Sequence, residues 1–115
     1  MKTAHDPRHE KRIQTVQELF SFSFDPEQRT GTIEEVVEKL PDIDTRIREF
    51  ASERPLADIN KLDLAILRLG VFELVYQKMN PAITIDEAIE IAKEFGGDSS
   101  PKFVNAVLGK IAESL

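Results

Sequence analysis

No cysteine occurs anywhere in the 115 residues. A disulfide framework and a thiolate site are therefore both excluded, which suits a reducing compartment. The N-terminus has no apolar signal core, and no uninterrupted apolar run approaches the ~20 residues of a membrane span. These absences imply a cytoplasmic protein with no membrane partner. The period-two alternation of a half-buried strand is also missing, as are low-complexity tracts and internal repeats. Catalytic signatures are absent too: the serines lack a G-x-S-x-G elbow, and Gly96-Gly97 is a lone pair, not a phosphate-cradling loop. The expectation is a protein that is not an enzyme and needs no cofactor. What remains is a chain 41% hydrophobic and 31% charged, the balance of a folded domain. Its length fits one domain with a real core.

The stretch that organises this chain is Lys61 to Tyr76, KLDLAILRLGVFELVY. Asp63, Arg68 and Glu73 are spaced by five residues, so each is turned about 140° from the last on a helix. The charges do not gather on one solvent face, and a helix apolar nearly all round belongs at the centre of a packed domain. Asn60 can cap it, with Asp63 at the third helical position answering the dipole.

The other segments read as helices around that rod. Asp6-Pro7 starts the first, with Ile13, Val16, Leu19 and Phe20 on its core face and fraying expected near Phe22 and Phe24. Thr32 and Glu35 suggest a capping box for a second helix that Pro41 ends. Asp42 or Asp44 can cap a third, carrying Ile43, Ile47, Phe50 and Ala51. Arg54-Pro55 breaks the pattern, and Asn80-Pro81 is read as the stop of the central helix. Thr84 and Glu87 suggest a further capping box, above a stripe of Ile85, Ala88, Ile89, Ala92 and Phe95, with Gly96 as a left-handed C-terminal glycine. Ser100-Pro101 opens the last helix, with Val104, Val107, Leu108 and Ile111 facing inward. The fold class is all-α, a compact domain of about six helices.

The net charge of −6 argues against a polyanion partner until its distribution is considered. Residues 1–12 carry +2 and the rest of the chain −8, an asymmetry that marks a partner-binding end. His5 and His9 share a helix face there. Two histidines without further ligands do not make a metal site, so none is expected, and the pair reads as part of an exposed helix start. Asp86, Glu87, Glu90 and Glu94 fall opposite the apolar stripe and read as a solvated face. The start of the last helix is the more pointed candidate: free amides favour phosphate, Lys102 adds charge, Asn105 can read polar edges and an exposed Phe103 can stack on a base. The plain alternative is a capped helix with Phe103 in the core.

The runs AILRLGVFEL (Ala65 to Leu74) and ITIDEAIEIAKEFGGDSSPKFVNAVLGKI (Ile83 to Ile111) closely resemble the C-terminal half of the NusB family of bacterial antitermination factors. Ile43 to Leu62 and VQELFSF (Val16 to Phe22) are similar to earlier parts of that family. The resemblance implies two small helical subdomains, about 6–54 and 60–115. It implies transcription antitermination without catalytic activity, through boxA-type RNA of nascent ribosomal RNA transcripts. The implied partners are the small-subunit ribosomal protein NusE and the RNA polymerase antitermination complex, with a homodimer also open. It places RNA contacts on Arg8, Lys11, Arg12, Asp98, Lys102, Phe103 and Asn105, and a NusE contact on Asp63. The chain departs from the family at R-H-E-K-R (Arg8 to Arg12), where a dense arginine run is usual. It also lacks the tryptophan before the central helix and is short between Phe24 and Ile33. A diverged helical protein-interaction module with little RNA affinity is the alternative that these departures favour.

Overall fold

The computed structural model describes residues 6–51 and 54–115. Among them lie six helices and one 3-10 turn at Leu56–Asp58: α1 (Pro7–Phe24), α2 (Glu34–Glu38), α3 (Leu40–Phe50), α4 (Lys61–Val75), α5 (Pro81–Phe95) and α6 (Ser100–Glu113). The all-α expectation holds. Every residue of α4 from Asp63 to Leu74 is buried, because α1, α2, α3, α5 and α6 all pack against it. One apolar cluster runs from Val16 and Leu19 through Ile43, Ile47, Ile66 and Leu67 to Leu108 and Ile111. Close approach of α6 to α4 depends on Gly70, where an added Cβ would stand 2.8 Å from a Leu108 methyl carbon.

The three buried charges of α4, Asp63, Arg68 and Glu73, point different ways, and two of them meet a partner helix. Arg68 donates Nε and Nη2 to the two carboxylate oxygens of Asp44 on α3, each at 3.0 Å. Glu73 accepts from Arg12 of α1. Asp63 is buried with them, and its Oδ1 finds no hydrogen-bond partner among the described residues.

Several helix boundaries differ from the sequence reading. Thr32 caps nothing: α2 follows a turn and has the fully buried Ile33 at its N-cap, with no side-chain capping bond. Anchoring Ile33 in the core moves the start past the threonine. Pro41 opens α3 instead of closing α2, since a proline in the first helical turn gives up no bond. Asp42 and Asp44 are thereby released from capping; Asp42 instead pairs with Arg46 and accepts from the Tyr76 hydroxyl. Asn80-Pro81 begins α5, where Asn80 Oδ1 accepts from the Ile83 amide at 3.3 Å. Thr84 and Glu87 therefore lie inside α5 and are buried, not capping. Gly96 is not the left-handed helix end that was expected; the left-handed residue is Lys78, with φ 51°, in the turn after α4. Gly96 itself has φ −93° and is needed for space: a Cβ there would stand 2.7 Å from both the Ala92 carbonyl oxygen and Ser100 Cβ. Finally, α1 continues unfrayed to Phe24, whose ring packs edge-on to Phe20 at 5.0 Å.

Candidate nucleic-acid interface

The first turn of α1 is fixed by its own chemistry. Asp6 accepts from the Arg8 amide at 2.9 Å, and Pro7 supplies a preset φ at the first helical position. That amide hydrogen bond, foremost, holds the Asp6 carboxyl below its ordinary range. Helical periodicity then divides the basic residues. Arg8 is 87% exposed at its side chain, and Lys11 is exposed. Arg12 turns inward: its Nε donates to Glu73 at 2.9 and 3.2 Å, and its Nη1 lies 3.5 Å from Glu87 Oε1. Burial keeps the Glu73 carboxyl above its ordinary range despite this guanidinium. Arg8, Lys11 and Arg12 line an open cleft of about 520 Å³, floored by Leu69 and Phe72 and walled by Gly31, Thr32 and Glu35.

His9 lies beside Arg12 and is not an exposed, frayed residue. Its Nδ1 is 2.8 Å from Glu87 Oε1, with side-chain exposures of only 12% and 6%. The hydrogen bond to Glu87 holds the imidazole pKa above 6.5, against the opposing effect of burial. The reading of Glu87 as part of a solvated face is overturned, because α1 covers it with His9 and Arg12. His5 lies outside the described residues.

The start of α6 is built differently. Ser99 occupies the N-cap without a side-chain bond, and the buried Ser100 accepts from the Gly97 amide through its Oγ at 3.0 Å. This local turn leaves Asp98, Lys102 and Asn105 exposed. Phe103 is half-buried against the core edge. One face of its ring is covered by the Arg54 guanidinium, 4.3 Å from the centroid. Sequence reasoning treated Arg54 only as a helix breaker. No local signal marks it, because its place over Phe103 depends on the packing of α3 against α6.

The residues proposed from the sequence thus form two groups. Arg12 meets Glu73 near the C-terminal end of α4. Gly96 and Gly97, just before α6, share a groove with Asn60 and Leu62 at its N-terminal end. At a rise of about 1.5 Å per residue, the levels of Leu62 and Glu73 differ by ~16 Å along α4. The cleft that Arg8, Lys11 and Arg12 line is bordered by none of Asp98, Lys102, Phe103 and Asn105. Asp63 belongs to neither group: it is 4% exposed, and Asn60 Oδ1 accepts from its amide at 3.3 Å and from that of Leu62 at 2.9 Å.

Comparison with known proteins agrees with this fold. Transcription antitermination protein NusB of Nitratiruptor sp. is 40% identical over 114 residues, spanning 99% of this chain and 76% of that protein. The protein of the same name from Wolinella succinogenes is also 40% identical, over 99% of this chain and 78% of its own length. A solved structure of T. maritima NusB superposes with a TM-score of 0.80 at 32% identity, covering 98% of this chain and 93% of that one. With residues 5–113 matching the family as well, the chain belongs to the NusB family.

Proposed function

We propose that this chain is a non-enzymatic antitermination adaptor that holds boxA-type RNA beside the ribosomal protein NusE within the cytoplasmic RNA polymerase complex, supporting ribosomal RNA transcription. Family membership supports the antitermination role. The RNA reading is carried by the start of α6, where exposed Lys102 and Asn105 flank Phe103 with Arg54 over its ring. Cations beside an aromatic edge suit single-stranded RNA, which is bound by phosphate contact and base stacking. Arg8 and Lys11 add a second basic point at the start of α1, so one strand running along the molecule would meet both. In this reading Asp98, exposed at the α6 turn, is a further contact of the RNA. The NusE contact implied at Asp63 requires local opening at the start of α4, because the residue is 4% exposed; its unpaired oxygen, buried and unmet, costs about 1–3 kcal/mol.

The test is a titration of boxA-type RNA with and without NusE. Binding is expected to be much tighter with NusE, and Lys102→Ala is expected to weaken it while NusE association is kept. With Arg8, Lys11 and Lys102 as the phosphate contacts, log affinity should fall with log salt at a slope of about −2. Equal, negligible RNA affinity with and without NusE would remove this reading. One observation favours the alternative, a protein-interaction module with little RNA affinity: Arg12 is committed to Glu73 and Glu87, which thins an already diluted basic run. That module would show NusE association and no response of RNA affinity to Lys11→Ala or Lys102→Ala.

A further inference from the structure

His9 has no part in the RNA reading, yet it meets α5 at a concentration of carboxylates. Its Nδ1 lies 2.8 Å from Glu87 Oε1, and its Nε2 lies 3.7 Å from Glu94 Oε2. Glu90 stands three residues beyond Glu87 on α5, which puts it on the same helix face. One donor atom each from His9, Glu87 and Glu90 all fall within 4.8 Å of one another. Zinc-type ions bind imidazole nitrogen and carboxylate oxygen at about 2.0–2.2 Å, which sets donor atoms ~3–4 Å apart around one centre. The observed separations, from 2.8 Å between His9 and Glu87 to at most 4.8 Å, bracket that spacing.

The charge around this point also favours a cation. Among the described residues, Glu87, Glu90 and Glu94 face it from α5 and Glu73 approaches from α4, against Arg12 from α1. Arg12 is held by Glu73 through its Nε at 2.9 Å. Glu87 can therefore turn toward an ion without leaving the guanidinium unpaired. The low exposure of His9 and Glu87 removes much of the water that would screen such an ion.

We propose that His9, Glu87 and Glu90 form a binding site for a divalent transition-metal ion of the zinc type, which clamps the first turns of α1 onto α5. Water completes the coordination. The imidazole makes the site selective: it suits zinc and its neighbours, whereas magnesium takes oxygen ligands and keeps its water shell. A proton on His9 is the natural competitor, so binding releases that proton and strengthens as the pH rises through the His9 titration.

The test uses the full chain without an affinity tag, titrated with zinc chloride by calorimetry and followed by amide NMR spectra. One-to-one saturable binding is expected, with shifts centred on His9 and on Asp86 to Glu94. Either His9→Gln or Glu90→Gln should weaken it about tenfold or more. His5→Gln and excess magnesium should leave it unchanged. Glu90→Gln preserves the contact between His9 and Glu87, so it carries the test if His9→Gln fails to fold, and a thermal melt verifies its fold. The proposal is overturned by absence of saturable binding, or by binding that survives Glu90→Gln. Loss in His5→Gln alone, or displacement by magnesium, overturns it equally.

Discussion

At the start of α1, the guanidinium of Arg12 is drawn inward onto Glu73 and Glu87, whereas near the start of α6 the guanidinium of Arg54 lies outward over the ring of Phe103. Both regions carry cations close to a helix N-terminus, and in the sequence the first looks the richer. The difference comes from what each helix packs against. α1 lies on α4 and α5, which bring buried carboxylates within reach, so one of its cations becomes part of the fold. α6 meets α3 through an aromatic edge, so the cations there remain at the surface. A basic run in a sequence therefore overstates the charge available to a polyanion wherever buried carboxylates lie beneath it.

The largest test of this contrast is Arg12→Ala. Removing it strands Glu73 in the core, and breaking a buried pair from one side costs about 3–5 kcal/mol. Lys102→Ala, at an exposed position, should change stability by no more than about 0.5 kcal/mol. Denaturant unfolding of the two variants side by side measures both, and equal small losses would erase the distinction between the two ends. Gly96→Ala should follow at roughly 1–3 kcal/mol, since its Cβ meets both backbone and Ser100. Gly31→Ala meets nothing within 4 Å and serves as the matched control.

The pH dependence is a smaller effect, and in the neutral range it is expected from His9 of α1. The folded pKa of His9 lies above its ordinary 6.5, so its contribution to stability is fully present below 6.5 and is lost as pH rises through the raised value. Glu73, raised by burial above its ordinary 4.5, has the same sign in a more acidic window. Thermal melts across the neutral range should show stability falling with rising pH, and His9→Gln should flatten that slope. A slope that persists in His9→Gln would assign the titration elsewhere. A small effect is expected for Arg54→Ala, where loss of the cation–ring contact costs about 0.5–1 kcal/mol. An unchanged unfolding midpoint would mean that the ring of Phe103 is not covered in solution.

Much of the fold was legible in the order of residues. The burial of α4 followed from its scattered charges, and the stripe of α6 followed from 3.6-residue spacing; the buried face of α5 is turned instead toward Thr84, Glu87 and Ile91, sharing only Ala88 and Ala92 with the expected stripe. Phe95 shows the limit of that spacing: it lies on the expected stripe yet remains 45% exposed at the end of α5, beside an open groove shared with Ile13 and Phe20. Caps were less legible. Thr32 and Thr84 both had the right residue three positions on, yet Ile33 and Asn80 open those helices instead, because core anchoring and proline placement outweigh a local side-chain bond. The candidate interface was legible in its residue types but not in its exposure. Lys102 and Asn105 are at the surface as their helix phase required, whereas Arg12 and Phe103 were settled by helices far away in the chain.

By itself, the sequence determined an all-helical domain centred on Lys61 to Tyr76 and the family to which it belongs. Those properties depend on local periodicity and residue order, and both can be read along the chain. Only the tertiary structure decided which charges serve the fold and which stay exposed at the surface. Glu87 became buried, His9 was tied to α5, and Arg54 came to lie over Phe103 because packing joined residues far apart in sequence. Burial, and with it the energy of a charge, is set by whatever other helix lies across it, and no local window of residues contains that information.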